Sequence, residues 1–101
     1  MQTARTPEEK IVDTIRAVLR GNFGATSASA IDFYADAHIA LSSPSEYTRM
    51  LQNIFGSGTE HLLSALIAGL GNEFGAKFSD STTLDDLILT IRQRQPPSGS
   101  K

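Results

Sequence analysis

Three short stretches of the chain share one pattern: Thr6-Pro7-Glu8-Glu9, Ser43-Pro44-Ser45-Glu46 and, without the proline, Ser57-Gly58-Thr59-Glu60. A hydroxyl followed three residues later by glutamate marks the beginning of a helix. The hydroxyl accepts a hydrogen bond from the glutamate backbone N–H, and the carboxylate reaches back to the N–H of the hydroxyl residue. Proline suits the first helical position because the N–H it lacks would be unpaired there anyway. Each cap contributes about 1 kcal/mol and stops one helix from reading into the next. A chain punctuated this way is constrained to a series of short helices.

Apolar spacing fills in the segments. Ile11, Val12, Ile15, Val18 and Leu19 recur at helical intervals, and Gly21 is placed to end a helix over 7–20. Thr26, Ser27 and Ser29 offer caps for a second helix over 28–41, with Ala30, Phe33, Tyr34, Ala37 and Leu41 as its inner face and Ile31 and His38 beside it. Tyr47, Met50, Leu51, Ile54 and Phe55 form the stripe of a third over 44–55, closed by Gly56. The fourth, 58–74, carries the strongest stripe: Leu62, Leu63, Leu66, Ile67, Leu70 and Phe74. In the fifth, 84–95, Thr83 precedes Leu84, Leu87, Ile88 and Ile91. Asp85 and Asp86 lie at its positive end, Arg92 and Arg94 at its negative end, and Pro96 and Pro97 stop it.

No segment alternates with the period of a strand. The sequence therefore predicts an all-α fold, a compact bundle of about five short helices, with 1–95 as a single helical domain and 96–101 as a flexible tail or linker. The fourth helix should be central, with Leu66 and Ile67 among its most buried residues.

Composition narrows the chemistry. There is no cysteine, hence no disulfide, thiol nucleophile or thiolate metal site. The longest apolar run, residues 62–71, is far short of the roughly 18 residues a membrane span needs, and the first ten residues resemble no targeting signal. A cytoplasmic location and no membrane association are expected. Charge is unevenly distributed: residues 21–91 hold eight acids against Arg49 and Lys77, while most of the basic residues sit towards the two ends. An acidic body repels phosphate backbones.

Candidate sites are few. His38 and His61 each have an acid nearby, but not at the three- or four-residue helical spacing that places two ligands over one metal. An acid–base centre would have to gather Asp32, Asp36, His38 or His61 from separate positions. The serines and threonines concentrate at helix starts, where capping accounts for them, and no G-x-S-x-G elbow occurs. The stretch Phe55-Gly-Ser-Gly-Thr-Glu60 resembles a phosphate cradle only superficially, because it lacks a preceding strand and a lysine. No catalytic residue, metal, cofactor or small-molecule substrate is expected.

The most unusual local feature is the small-residue content of the fourth helix. Gly69 and Gly71 each cost a helix interior about 1 kcal/mol relative to alanine, so something should offset them. Either a neighbouring helix of the same chain comes close, or Ala65, Ala68, Gly69 and Asn72 form a face where a partner or a second copy docks. The functional expectation is a non-catalytic protein-interaction or regulatory module, open to self-association, with a protein partner or homodimer. The alternative is a DNA-binding regulator using a helix-turn-helix-like pair over 28–55, although its second helix offers only Arg49 as a cation and nucleic acid is the less expected partner.

Overall fold

Thr6 starts the first helix as its sequence implies. Its hydroxyl accepts from the Glu9 N–H at 3.1 Å, and the Glu9 carboxylate accepts from the Thr6 N–H at 3.4 Å, a complete reciprocal cap. The structure, a computed structural model, describes residues 6–79 and 81–94, with the side chains of Pro7 and Arg94 excepted. Its elements in order are α1 (Pro7–Tyr34), α2 (Ile39–Ser42), α3 (Pro44–Phe55), a 3-10 turn (Gly56–Gly58), α4 (Thr59–Phe74) and α5 (Leu84–Arg94). The all-α bundle is as expected, and no strand occurs among the described residues.

The first two helices are bounded differently from the sequence expectation. Helix α1 runs through Gly21, which was expected to stop it, and breaks instead at Gly24, where φ is 87° and ψ 163°. Only glycine occupies that region of backbone space readily. The break reverses the chain. In a continuous helix Arg16 and Asp32 would be about 24 Å apart, yet their side chains form an ion pair at 3.1 Å. α1 is therefore two arms folded back on each other about Gly24.

The second arm stops at Tyr34 rather than continuing to 41. Asp32 accepts a hydrogen bond from the Ala37 N–H at 3.0 Å, and Asp36 accepts one from the His38 N–H at 2.8 Å. Aspartate side chains that capture nearby backbone donors compete with the helix and turn the chain. The short α2 then resumes. The inner face differs too: Ala28, Ile31 and Ala35 are buried, whereas Ala30 and Tyr34 are exposed and Phe33 is 93% exposed. Arms that reverse at a single residue lie close together, and the alanines let them do so.

The later helices follow their stripes. Ser43 caps α3 by accepting from the Glu46 N–H at 3.3 Å, but Glu46 turns to Arg49 instead of completing the box. Tyr47 and Leu51 are buried, Met50 and Phe55 half-buried, and Ile54 lies at the surface. The cap expected from Ser57 and Glu60 does not form. Instead, buried Thr59 donates its hydroxyl back to the Gly56 carbonyl at 2.6 Å, and α4 starts there rather than at 58. Thr83 caps α5 by accepting from the Asp86 N–H at 3.0 Å. The expected last residue of that helix, its proline stop and the 96–101 tail lie outside the described residues.

Helix α4 is central. It packs against the α1 hairpin, α3 and α5, with Leu66 and Leu70 fully buried and Ile67 nearly so. Leu84, Leu87, Ile88 and Ile91 of α5 close the core from the other side. Arg92 ties the end of α5 to the rest of the fold: its guanidinium donates to the Leu41 carbonyl at 2.7 Å and lies 3.6 Å from the Glu8 carboxylate. Among the described residues, no helix is long and apolar enough to cross a membrane.

Candidate interaction groove

The two interior glycines of α4 sit where neighbours come unusually near. A Cβ on Gly69 would lie 2.7 Å from Cγ2 of Val18, and one on Gly71 would overlap the Phe78 ring. The cost of glycine in the helix is offset by this close approach within the chain. Of the other small-face candidates, Ala65 and Ala68 are half-buried and Asn72 is exposed.

Asp32, Asp36 and His38 do come together, whereas His61 lies elsewhere in a hollow with Phe23 and Phe55. Arg16 bridges the group, 3.1 Å from Asp32 and 3.7 Å from Asp36. Asp36 Oδ1 accepts from the His38 N–H and contacts His38 Nδ1 at 2.7 Å. These two bonds from His38 hold the Asp36 carboxyl below the usual carboxylate range, with the Arg16 charge adding a smaller contribution. The Arg16 guanidinium is raised in turn, chiefly by its hydrogen bond to Asp32. Tyr47 is fully buried, and its hydroxyl makes no hydrogen bond. Burial pushes its phenol up, and the negative charges of Asp32 and Asp36 push it further. The group staples the α1 hairpin to the turn before α2. Among the described residues, no set of three or more His, Cys, Asp or Glu side chains is placed to hold a metal ion.

A groove of about 830 Å³ lies between α3, α4 and the start of α5. α3 contributes Ser45 and Thr48 to one wall, and α4 contributes Glu60, Leu63, Ser64 and Ile67. The opposite wall is Thr82 to Asp86. Half-buried Leu63 and the edges of Ile67 and Leu84 form an apolar floor, and hydroxyls and carboxylates form the rim.

Local chemistry fixes the groove's walls. The Ser79 N–H donates to the Thr82 hydroxyl at 2.9 Å, and the Thr82 N–H to the Ser79 carbonyl at 3.1 Å, which ties Ser79 to the residues just before α5. Ser45 donates to Asp85, pinning α3 to the α5 N-terminus. A second hollow shares Ser64, Ile67 and Thr82 with the groove and extends it to the exposed ring of Phe78.

Sequence reasoning did not single out this groove. It assigned Glu60 to a cap and Asp85 and Asp86 to the dipole of their helix, and each reading is locally sensible. The acid excess of residues 21–91, read in the sequence only as a bar to phosphate backbones, was the signal that also pointed to an acidic surface.

No family model, curated protein or solved structure matches the chain.

Proposed function

We propose that this chain is a non-catalytic protein-interaction module that docks a segment of a partner protein in the groove between α3, α4 and α5. One observation carries the reading: a preformed concavity of about 830 Å³ with an apolar floor and a polar rim, the composition expected of a binding site. An all-α wall has no strand edge to offer a partner backbone. A bound segment must therefore satisfy its own backbone hydrogen bonds, and an amphipathic helix does so. A regulatory role and a cytoplasmic location belong to the same proposal.

Two observations bear on the competing readings. Phe33, almost wholly exposed beside Tyr34, favours self-association through the end of the second arm of the α1 hairpin, away from its bend. Nucleic-acid binding has less support, since Arg49, the cation of α3, is ion-paired to Glu46 at 2.6 Å.

The test is selection of displayed, helix-patterned peptides on the intact chain, with counter-selection on Ser64→Tyr. Ser64 is exposed and lines the groove, and tyrosine is close to serine in helix propensity, so the variant fills the groove while leaving the core alone. Peptides enriched on the parent and lost on S64Y support the reading. Equal recovery on both overturns it, and a concentration-dependent dimer disrupted by Phe33→Ser would favour self-association.

A further inference from the structure

Resting on the groove reading above, we infer that the partner segment is cationic: an amphipathic helix that seats an apolar side chain on Leu63 and sets lysines or arginines against Glu60, Asp85 and Asp86. Those three carboxylates line the groove, and among the described residues no lysine, arginine or histidine lines it with them. Among the described residues neither Glu60 nor Asp86 takes part in an ion pair, in contrast to Asp32, Asp36 and Glu46, which pair with Arg16, Arg16 and Arg49. The rim charge is therefore not neutralised within the described fold.

The chemistry also argues against other ligands. A helix N-terminus ordinarily attracts anions, but that of α5 already carries Asp85 and Asp86 in its first turn and the Thr83 cap. A phosphate or acidic peptide would meet like charge there. The carboxylates are spread along the rim and do not converge as a metal site would, consistent with no three-ligand group among the described residues. Charges strung beside an apolar floor match cations spaced along a helix, where residues three and four apart share a face. The Ser79–Thr82 hydrogen bonds and the Ser45–Asp85 contact tie the described wall residues together before binding, which lowers the ordering cost.

The experiment uses three synthetic helical peptides of about four turns, identical in their apolar stripe and differing only in a polar face of lysine, glutamate or glutamine. Each is titrated into the intact, isotope-labelled chain. The lysine peptide should shift the amides of Leu63 to Ile67 and Thr82 to Asp86, bind more weakly as salt rises, and lose roughly ten-fold in affinity when Glu60→Gln and Asp86→Asn are combined. Both side chains are at or near the surface, and circular dichroism confirms that the variant stays folded. Groove shifts with the glutamate or glutamine peptide as strong as with the lysine peptide, or lysine binding indifferent to E60Q/D86N, overturn the cationic partner while leaving the docking reading standing. Groove resonances that respond to none of the three overturn both. Groove shifts on concentrating the chain without peptide, or contacts into the groove from residues 95–101, assign it to a second copy or to the chain itself and likewise overturn the inference.

Discussion

Replacing Gly24 with alanine tests the hairpin at its narrowest point. A Cβ at Gly24 would meet nothing within 4 Å, so neither overpacking nor lost contacts can contribute to the effect. What remains is the backbone: φ of 87° with ψ of 163° lies in a region that L-residues with a side chain avoid, at a cost on the order of 1–3 kcal/mol. Alanine also favours a straight, read-through helix by about 1 kcal/mol relative to glycine, and that conformer would separate Arg16 from Asp32 and expose Ala28, Ile31 and Ala35. Both effects weaken the hairpin.

For a domain whose whole stability is about 5–15 kcal/mol, Gly24→Ala should lower the urea midpoint clearly and the melting temperature by about 5 °C or more. D-alanine, introduced at the same position by semisynthesis, accepts positive φ and should recover most of the loss. The paired design separates backbone strain from any generic effect of a methyl group. If L-alanine left the midpoint within about 0.3 kcal/mol of the parent, or if D- and L-alanine were equally harmful, the account of α1 as two arms reversing at Gly24 would be refuted.

Three further outcomes are expected. Gly69→Ala should destabilise by about 1–3 kcal/mol despite its better helix propensity, because the new methyl meets Val18; a double-mutant cycle with Val18→Ala in urea should show the clash relieved. Ser57→Ala should leave stability within about 0.5 kcal/mol, since no cap forms there, whereas Thr59→Val should cost about 1 kcal/mol by removing the buried hydroxyl bonded to Gly56; denaturation curves of the pair give the comparison. Asp36, held below the usual carboxylate range by its bonds from His38, contributes stability that is present above the ordinary aspartate pKa of about 3.9 and is lost as pH falls through its lower folded value. Urea midpoints followed from about pH 5 down to pH 2.5 should fall less steeply in Asp36→Asn than in the parent, and parallel slopes would contradict the assigned role.

How far the sequence could be read depended on how local each signal was. The starts of α1, α3 and α5 were legible because Thr6, Ser43 and Thr83 act on backbone groups three residues away. The α4 and α5 stripes were legible because large aliphatic side chains outnumber every alternative on those faces. The region from Gly21 to His38 was not. Gly21 and Gly24 are three residues apart in similar surroundings, and only the packing of the arms decides which of them takes positive φ. The second arm was misread by weighting size: Phe33 and Tyr34 outrank Ala28 and Ala35 in hydrophobic content, yet close-packed arms admit the small residues and turn the aromatics outward.

The groove was hidden for a different reason. Its walls come from residues 45–48, 60–67 and 82–86, and no single window contains the constellation. Only the way α3 and α5 lie across α4 assembles it. Gly69 was noticed for its cost, and both of its readings were open; the Val18 methyl packed against it belongs to a helix about fifty residues earlier, beyond the reach of any local pattern.

The Arg92–Glu8 ion pair brings the outset of α1 and the close of α5 to one pole of the molecule. Leu84 and its neighbours, by contrast, belong to the opposite end of α5, about 12 Å along the helix axis. A fluorophore carried on the first turn of α1 or the last turn of α5 would therefore sit at that pole, clear of the acidic cleft.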